Sequence, residues 1–469
     1  MISTRPSISR LAKSGGANSL VFVIRVLTQL TLVPLFISQW GLALYGEWLL
    51  LTAVPAYLVL ADFGFVDASS NELARKACGD DQVATKKFYS RFAAYFQRWS
   101  LVLALIISLS AFNISFVDLL NLQNFTTSEA TLVFLVLAIT ALISQNSLIM
   151  LAGLRAQGKY HWGLFLRAIS GAVQLIFVAL TLFVFDAAPL DIALLMLLIS
   201  ILAFAAEWSL VFRTDMRQHH SPFSKLSEGE SMLTYLGMGC EMMLMPLAQA
   251  ITIQGSVLLV GAMLGPVTVA IFATHRTLAR IIATLVIVLV NPLKAEAGLL
   301  QKKADRPELS NILTSVARLT FWLAISVSVV LMFTGSWIVN FWTLGEVAFY
   351  SSLFALMLLS VVFESLWRAP SAVRTGSNKH RPIAWGYLLF SLLGLMLAQF
   401  LAEDYEIVGV AIGVLFIDVT MTFLAIISLK NILVAPLSKY LVSILYPPIK
   451  DIRYVFSYLV RLIRNYKSK

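Results

Sequence analysis

Apolar stretches recur along this chain from Ser19 to Leu429, separated by short polar connections. A membrane-crossing helix needs roughly 20 apolar residues, and on that ruler the pattern predicts about twelve spans. Their limits are 18–38, 43–64, 92–112, 130–152, 164–185, 191–212, 236–260, 267–293, 318–341, 348–369, 383–401 and 408–429. The longest polar interruption in the middle, Arg213 to Glu230, contains His219-His220-Ser221-Pro222 and divides the spans into six and six. The expected fold is therefore an all-α polytopic membrane protein: a six-helix lobe over 1–220, a second over 221–430 and a tail over 431–469. In the tail, Pro447-Pro448 sets a helix start. Ile449, Ile452, Phe456, Leu459 and Ile463 then recur on one face, opposite Lys450, Arg453, Ser457, Arg461 and Arg464. That spacing predicts a C-terminal basic amphipathic helix lying in the headgroup plane. The lobes echo each other: Gly41-Leu42-Ala43-Leu44-Tyr45-Gly46 and Gly265-Pro266-Val267-Thr268-Val269-Ala270 each follow a long span and turn straight into another. Six spans per half give both halves the same orientation, as in parallel repeats.

The charges orient this pattern. Lys and Arg gather in alternate connections: around Arg75-Lys76-Lys86-Lys87, Arg155-Lys159, Arg213-Arg217-Lys225, Lys302-Lys303-Arg306 and Arg374-Lys379-Arg381. The intervening connections (39–43, 113–128, 186–191, 261–266, 342–347 and 402–407) contain neither residue. Cytoplasmic loops retain Lys and Arg, so the alternation predicts a many-span inner-membrane topology with both termini in the cytoplasm. Composition agrees: 59% of residues are hydrophobic and 13% charged, with a mean hydropathy of +0.83, whereas soluble domains carry about 25% charged residues. The net charge of +10 faces anionic membrane lipids and is not a nucleic-acid signal. The first apolar stretch follows Arg5, Arg10 and Lys13 and is long enough to span, so no cleavable signal peptide is expected. Cys78 and Cys240 fall on the cytoplasmic side of this topology, which argues against a structural disulfide.

Little chemistry is available outside the membrane. The longest outward connection holds only Asp118, with Glu129 just beyond it, and a phosphate-binding Gly-rich loop and a His-Glu-x-x-His pattern are both missing. The five histidines are scattered, so no metal site and no cofactor are expected, and the chain does not read as an enzyme.

Ionisable residues inside spans are costly and by default mark a functional interior. Arg25 lies 16 residues before Gly41, roughly 24 Å inside the outer edge of span one. Arg280 lies 15 residues after Gly265, roughly 22 Å inside span eight. Arg276 is one turn shallower, at about 16 Å, near the midplane and on the same helix face as Arg280. Asp418 is about 11 residues into span twelve, also near the midplane. A snorkelling set or an ion pair with Asp418 accounts for these arginines structurally; a cationic cavity for an anionic headgroup accounts for them functionally, since planar guanidinium donors match phosphate oxygens. Asp418 is the candidate for proton or ion coupling. Polar residues near the arginines, including Gln29 in span one and Gln249 and Thr252 in span seven, are candidate cavity residues. Glu47 is expected near the outer interface. Asp62, Asp67, Glu207, Glu241 and Glu364 are expected near cytoplasmic ends, solvated or paired with basic loops.

Several stretches together resemble a known superfamily. They are Pro34-Leu35-Phe36 through Trp40-Gly41, Tyr45-Gly46-Glu47-Trp48, Leu60-Ala61-Asp62-Phe63-Gly64, and, in the second half, Val260-Gly261-Ala262-Met263-Leu264-Gly265-Pro266 with Phe272 and Arg276. The chain resembles the multidrug/oligosaccharidyl-lipid/polysaccharide exporters (MATE/MOP-like), and within them the polysaccharide-biosynthesis flippases of the Wzx type, up to about Leu429. The resemblance implies two six-helix lobes facing a central cavity, with alternating access. The implied activity moves an undecaprenyl-pyrophosphate-linked glycan from the cytoplasmic to the periplasmic leaflet, and polysaccharide polymerase or assembly proteins are the implied partners. Related lipid II flippases have functional arginines in spans one and eight, the spans that hold Arg25 and Arg276 here. The drug-exporting branch tends to carry an acid in span one, which this chain lacks. The expected role is thus flipping of a lipid-linked repeat unit for O antigen, capsule or exopolysaccharide, with Arg25, Arg276 and Arg280 on the diphosphate. A cation-coupled drug or metabolite antiporter of the same fold is the alternative; from a different class, it is a membrane glycosyltransferase or polymerase.

Overall fold

The computed structural model describes residues 8–58, 60–79, 81–213, 233–302, 305–449 and 451, and no strand occurs among them. In chain order the helices are α1 (Ile8–Leu58), α2 (Phe65–Ala77), α3 (Gln82–Ala111), α4 (Phe116–Leu120), α5 (Thr127–Ala156), α6 (Tyr160–Phe185) and α7 (Pro189–Phe212). They continue as α8 (Leu233–Ala250), a π-helical turn (Ile251–Gly255), α9 (Ser256–Leu264), α10 (Pro266–Lys302), α11 (Arg306–Trp342), α12 (Ser351–Gly376), α13 (Arg381–Ile427) and α14 (Leu437–Leu445). Residues 214–232 and 452–469 lie outside the described residues, and with them most of the central interruption and nearly all of the expected tail helix.

Among the described residues, ten segments are long and apolar enough to cross a membrane. Two of them hold two crossings each. With 51 residues, α1 would reach about 76 Å if straight, far beyond a hydrocarbon core of ~30 Å. It breaks at Gly41, whose φ of 71° suits glycine. The Phe36 and Trp48 rings on either side are 6.1 Å apart, where a continuous helix would separate them by about 18 Å. Likewise α13 breaks at Glu406 (φ 49°, ψ −130°). Its limbs then pack backbone to backbone through small residues: a Cβ on Gly409 would stand 2.3 Å from the Leu401 carbonyl oxygen, and one on Gly413 would stand 2.5 Å from that of Gly394. Close approach of this kind is how helices associate where lipid offers no hydrophobic drive between them. With both hairpins counted, the helices give the twelve crossings that hydropathy predicts, each break falling within an expected outward connection. Large apolar side chains face outward, among them Leu101, Leu105, Phe183, Phe333 and Phe341, a surface suited to lipid in a multi-pass membrane protein.

The chain forms two compact units. Unit one comprises 1–250 with 265–270; unit two comprises 251–264 and 271–469. In unit one, α5 packs against α7, α3, α2, α6 and α1, and α1 also lies along α6. A core of Phe65, Phe88, Tyr89, Phe92, Phe96, Ile149 and Leu154 closes one end. The Asp62-Phe63-Gly64 stretch makes the entry to α2. Phe63 and Gly64 both take positive φ, and the Asp62 carboxylate accepts from the Gly64 and Val66 N–H groups at 3.1 and 2.9 Å. These bonds satisfy donors that a helix start leaves open. Burial pushes the Asp62 carboxyl above its usual range despite them. Asp62 is therefore an internal helix cap, not the solvated loop acid expected. Glu47 also departs from expectation. It is fully buried and holds the loop that follows α4, accepting from the Gln123 N–H at 2.8 Å and from the Asn124 N–H and side-chain amide.

In unit two, α12 packs between α11 and α13, and α9 lies on α13. The short α14 docks on α11. Arg318 Nε donates to the Ser443 carbonyl at 2.7 Å and its Nη1 meets Asp451 at 2.6 Å, while Trp322 donates to the Ile444 carbonyl. A guanidinium at a helix C-terminus satisfies its open carbonyls and complements its dipole.

Candidate functional site

Each unit holds its own polar pocket. In unit two the pocket is lined by the π turn and α9, α10, α12 and α13, and it leaves only about 40 Å³ of free space. The π turn supplies its first anchor. Winding wider than an α-helix, it takes carbonyls out of the usual i→i−4 register, and the Ile253 carbonyl accepts from Arg276 Nη1 at 2.7 Å. The Ser256 hydroxyl accepts from the same nitrogen at 3.2 Å, and the guanidinium lies 5.4 Å from the Phe272 ring centroid. One turn on, Arg280 Nη1 stands 3.9 Å from Glu364 Oε2. Glu364 is buried, and Arg368 grips its other oxygen through Nε (2.9 Å) and Nη2. Arg368 also stacks over Trp367, whose indole N–H donates to Asp418 Oδ1 at 3.0 Å. Ser360 donates to the other oxygen of Asp418. Two guanidiniums and two carboxyls thus line the pocket, and Arg368, outside the lining, holds Glu364.

Unit one presents a different pocket. A cavity of about 380 Å³ opens among α1, α5, α6 and α7. Arg25 and Gln29 project from α1 at its exposed side. Among the described residues, Arg25 has no hydrogen-bond or ion-pair partner. Across the cavity, Arg167 Nε stands 3.5 Å from Glu207 Oε1. Glu207 is only 2% exposed, yet its Oε2 has no hydrogen-bond partner. The Ser147 hydroxyl stands beside this carboxylate. Serines 144, 170 and 200 and Gln174 complete the polar lining.

Of the residues singled out from the sequence, Arg276, Arg280, Asp418 and Thr252 share the unit-two pocket. Arg25 and Gln29 line the unit-one cavity. Gln249 is half-buried on α8 and lines neither pocket. Thr252 sits in the π turn and meets the Ser391 hydroxyl at 2.9 Å. Arg280 faces Glu364, where the spacing suggested Asp418. Glu207 and Glu364 are buried cavity acids, not solvated loop partners. Sequence reasoning missed Arg167, Trp367 and Arg368. Arg167 and Arg368 sit at the edges of predicted spans, where a cation is usually a topology marker.

No protein-family model matches the chain, and no curated protein does. Solved structures match over most of its length. An inward-facing multidrug resistance MATE family transporter of the MOP superfamily aligns with a TM-score of 0.69 at 15% identity, covering 90% of this chain and 95% of that one. The lipid II flippase MurJ, in an inward closed conformation, aligns with a TM-score of 0.68 at 15% identity, over 94% and 92%. A MOP superfamily transporter from Pyrococcus furiosus, whose binding pocket is described as reversed in polarity, aligns with a TM-score of 0.64 at 13% identity, over 90% and 94%. The chain thus has the all-helical fold seen in these membrane transporters.

Proposed function

We propose that the chain is a flippase for an undecaprenyl-pyrophosphate-linked oligosaccharide, moving the repeat unit from the cytoplasmic to the periplasmic leaflet of a bacterial inner membrane. The observation that carries this reading is Arg25: a guanidinium in the first span that faces a polar cavity and has no acidic partner among the described residues. An unneutralised charge at membrane depth is expensive, and a diphosphate offsets it with oxygens that fit the planar donor fork. The unit-two pocket supports the same chemistry, with Arg276 and Arg280 on one helix face. The fold shared with a lipid II flippase supports the mode of action. In this reading the glycan occupies the polar cavity while the polyprenyl tail stays in lipid, so no sugar hydroxyl crosses hydrocarbon unsatisfied.

The reading is tested in cells that depend on this chain for a surface polysaccharide. Arg25→Ala lowers surface polysaccharide at normal membrane levels of the protein. Arg276→Lys retains more than Arg276→Ala, because charge persists while the fork is lost. Wild-type export from both alanine variants contradicts the proposal. The second reading, a cation-coupled antiporter, is favoured by Asp418 and Glu364 in one pocket. It predicts dye or drug efflux that depends on those acids and leaves lipid-linked glycans unchanged.

A further inference from the structure

The buried end of the unit-one cavity points to a ligand that is neither an anion nor a cation. Glu207 is almost wholly buried, one oxygen faces Arg167, and the other has no donor. A buried acceptor left unsatisfied costs free energy that a ligand donor recovers. A carboxylate there repels phosphate, and a guanidinium 3.5 Å from it repels a metal ion. What fits is a neutral group that gives hydrogen bonds to Glu207 and takes them from Arg167. The walls agree: serine hydroxyls and the Gln174 amide both donate and accept, and Val21, Ile24 and Ile199 provide apolar faces between them. This mixture matches a sugar ring, which presents hydroxyls around its edge and C–H groups on its faces. The volume of about 380 Å³ falls within the range of small-molecule sites.

We infer that this cavity is a sugar subsite in which Glu207, oriented by Arg167, accepts from the ring hydroxyls of the glycan. The inference rests on the flippase reading for the identity of the ligand. In a sugar diphosphate the ring is bonded directly to the phosphate, so an arginine at the exposed side and a hydroxyl acceptor at the buried end follow the order of groups in the substrate. Discrimination among sugars then falls to Glu207 and Gln174, since a site built to hydrogen-bond a hydroxyl rejects an analogue that lacks it.

The test uses the full chain in lipid nanodiscs with methyl α-glycosides of glucose, galactose, mannose and N-acetylglucosamine, followed by saturation-transfer NMR. At least one glycoside receives saturation from the wild-type protein. Glu207→Leu loses that signal, Glu207→Gln keeps part of it through its remaining acceptor, and Gln174→Leu, which spares the ion pair, weakens binding by about tenfold or less. Equal signals from wild type and from both Glu207 variants overturn the subsite, as does the absence of binding by every glycoside. Should Glu207→Leu fail to fold, Glu207→Gln and Gln174→Leu decide the question in the same way. Inorganic pyrophosphate is followed on the same preparations by phosphorus line broadening. If Arg25→Ala binds it as wild type does, the headgroup role of Arg25 fails, while the sugar subsite is still judged by Glu207.

Discussion

The two pockets use similar residues to opposite ends. In unit two, Glu364 and Asp418 have their oxygens taken up by Arg368, Arg280, Ser360 and Trp367, and about 40 Å³ remains free. In unit one, Glu207 has a single ion-pair partner, one oxygen stands unmet, Arg25 has no partner among the described residues, and about 380 Å³ is open. A buried polar network that satisfies every member stabilises one arrangement of helices; one that is left partly unsatisfied holds interaction energy available to a ligand. The first behaves as a structural network that must exchange partners before it can hold an anion; the second leaves Arg25, one oxygen of Glu207 and open volume available to a ligand.

That contrast can be broken by substitution. The largest effect is expected at Glu364. Glu364→Gln leaves two partly buried guanidiniums without their buried carboxylate partner and should cost about 3 kcal/mol, read as a sharp fall in thermal stability and in membrane levels. A shift too small to measure would show that the unit-two network is not structural. Next is Asp418→Asn, in which an amide replaces one acceptor facing Trp367 or Ser360 and costs about 1–3 kcal/mol. Full transport with an unchanged dependence on the proton gradient would end the ion-coupling role proposed for Asp418.

Glu207→Gln should reverse the balance between stability and activity. Its unmet oxygen has no donor to lose, and a neutral amide relieves the cost of burying an incompletely paired carboxylate, so thermal stability should fall by less than at Glu364, while glycan transport drops in part. A stability loss as large as that at Glu364 would erase the distinction between the pockets. The smallest effect is expected outside both of them, at Glu72 on α2. The hydrogen bond from Arg75 holds this carboxyl below its ordinary range. A depressed carboxylate pKa contributes stability that is complete above the unfolded-state value of about 4.3 and is lost as pH falls through the folded value. Glu72→Gln should therefore cost about 0.3–0.5 kcal/mol at neutral pH and less as the medium becomes acidic. Denaturation curves at the two pH values check the sign.

Much of the fold was legible in the sequence because the bilayer imposes a length and a polarity that hydropathy records directly. The breaks at Gly41 and Glu406 fall inside connections marked by the absence of Lys and Arg. Arg276 and Arg280 were legible as a pair because four residues make one helical turn. Their partners were not. Glu364 belongs to α12 and Arg276 is held by a carbonyl of the π turn, and no local pattern announces either contact. Glu47, Glu207 and Glu364 were misplaced for a common reason: distance along a span estimates depth in the membrane, while burial depends on which neighbouring helix covers the residue. The unit-one cavity needs four helices to close, so Arg167 and Glu207 read as edge residues until α6 and α7 are packed on α1 and α5.

The central claim is that the chain moves a lipid-linked glycan across the membrane, and the most direct measurement is side-specific labelling of lipid-linked glycans in cells lacking the gene. The flippase account predicts completed repeat units accumulating on the cytoplasmic leaflet, with loss of a surface polysaccharide. Lipid-linked glycans unchanged in amount and sidedness, with altered dye or drug efflux, would contradict it and favour the antiporter; accumulation of incomplete units would contradict it in favour of a glycosyltransferase.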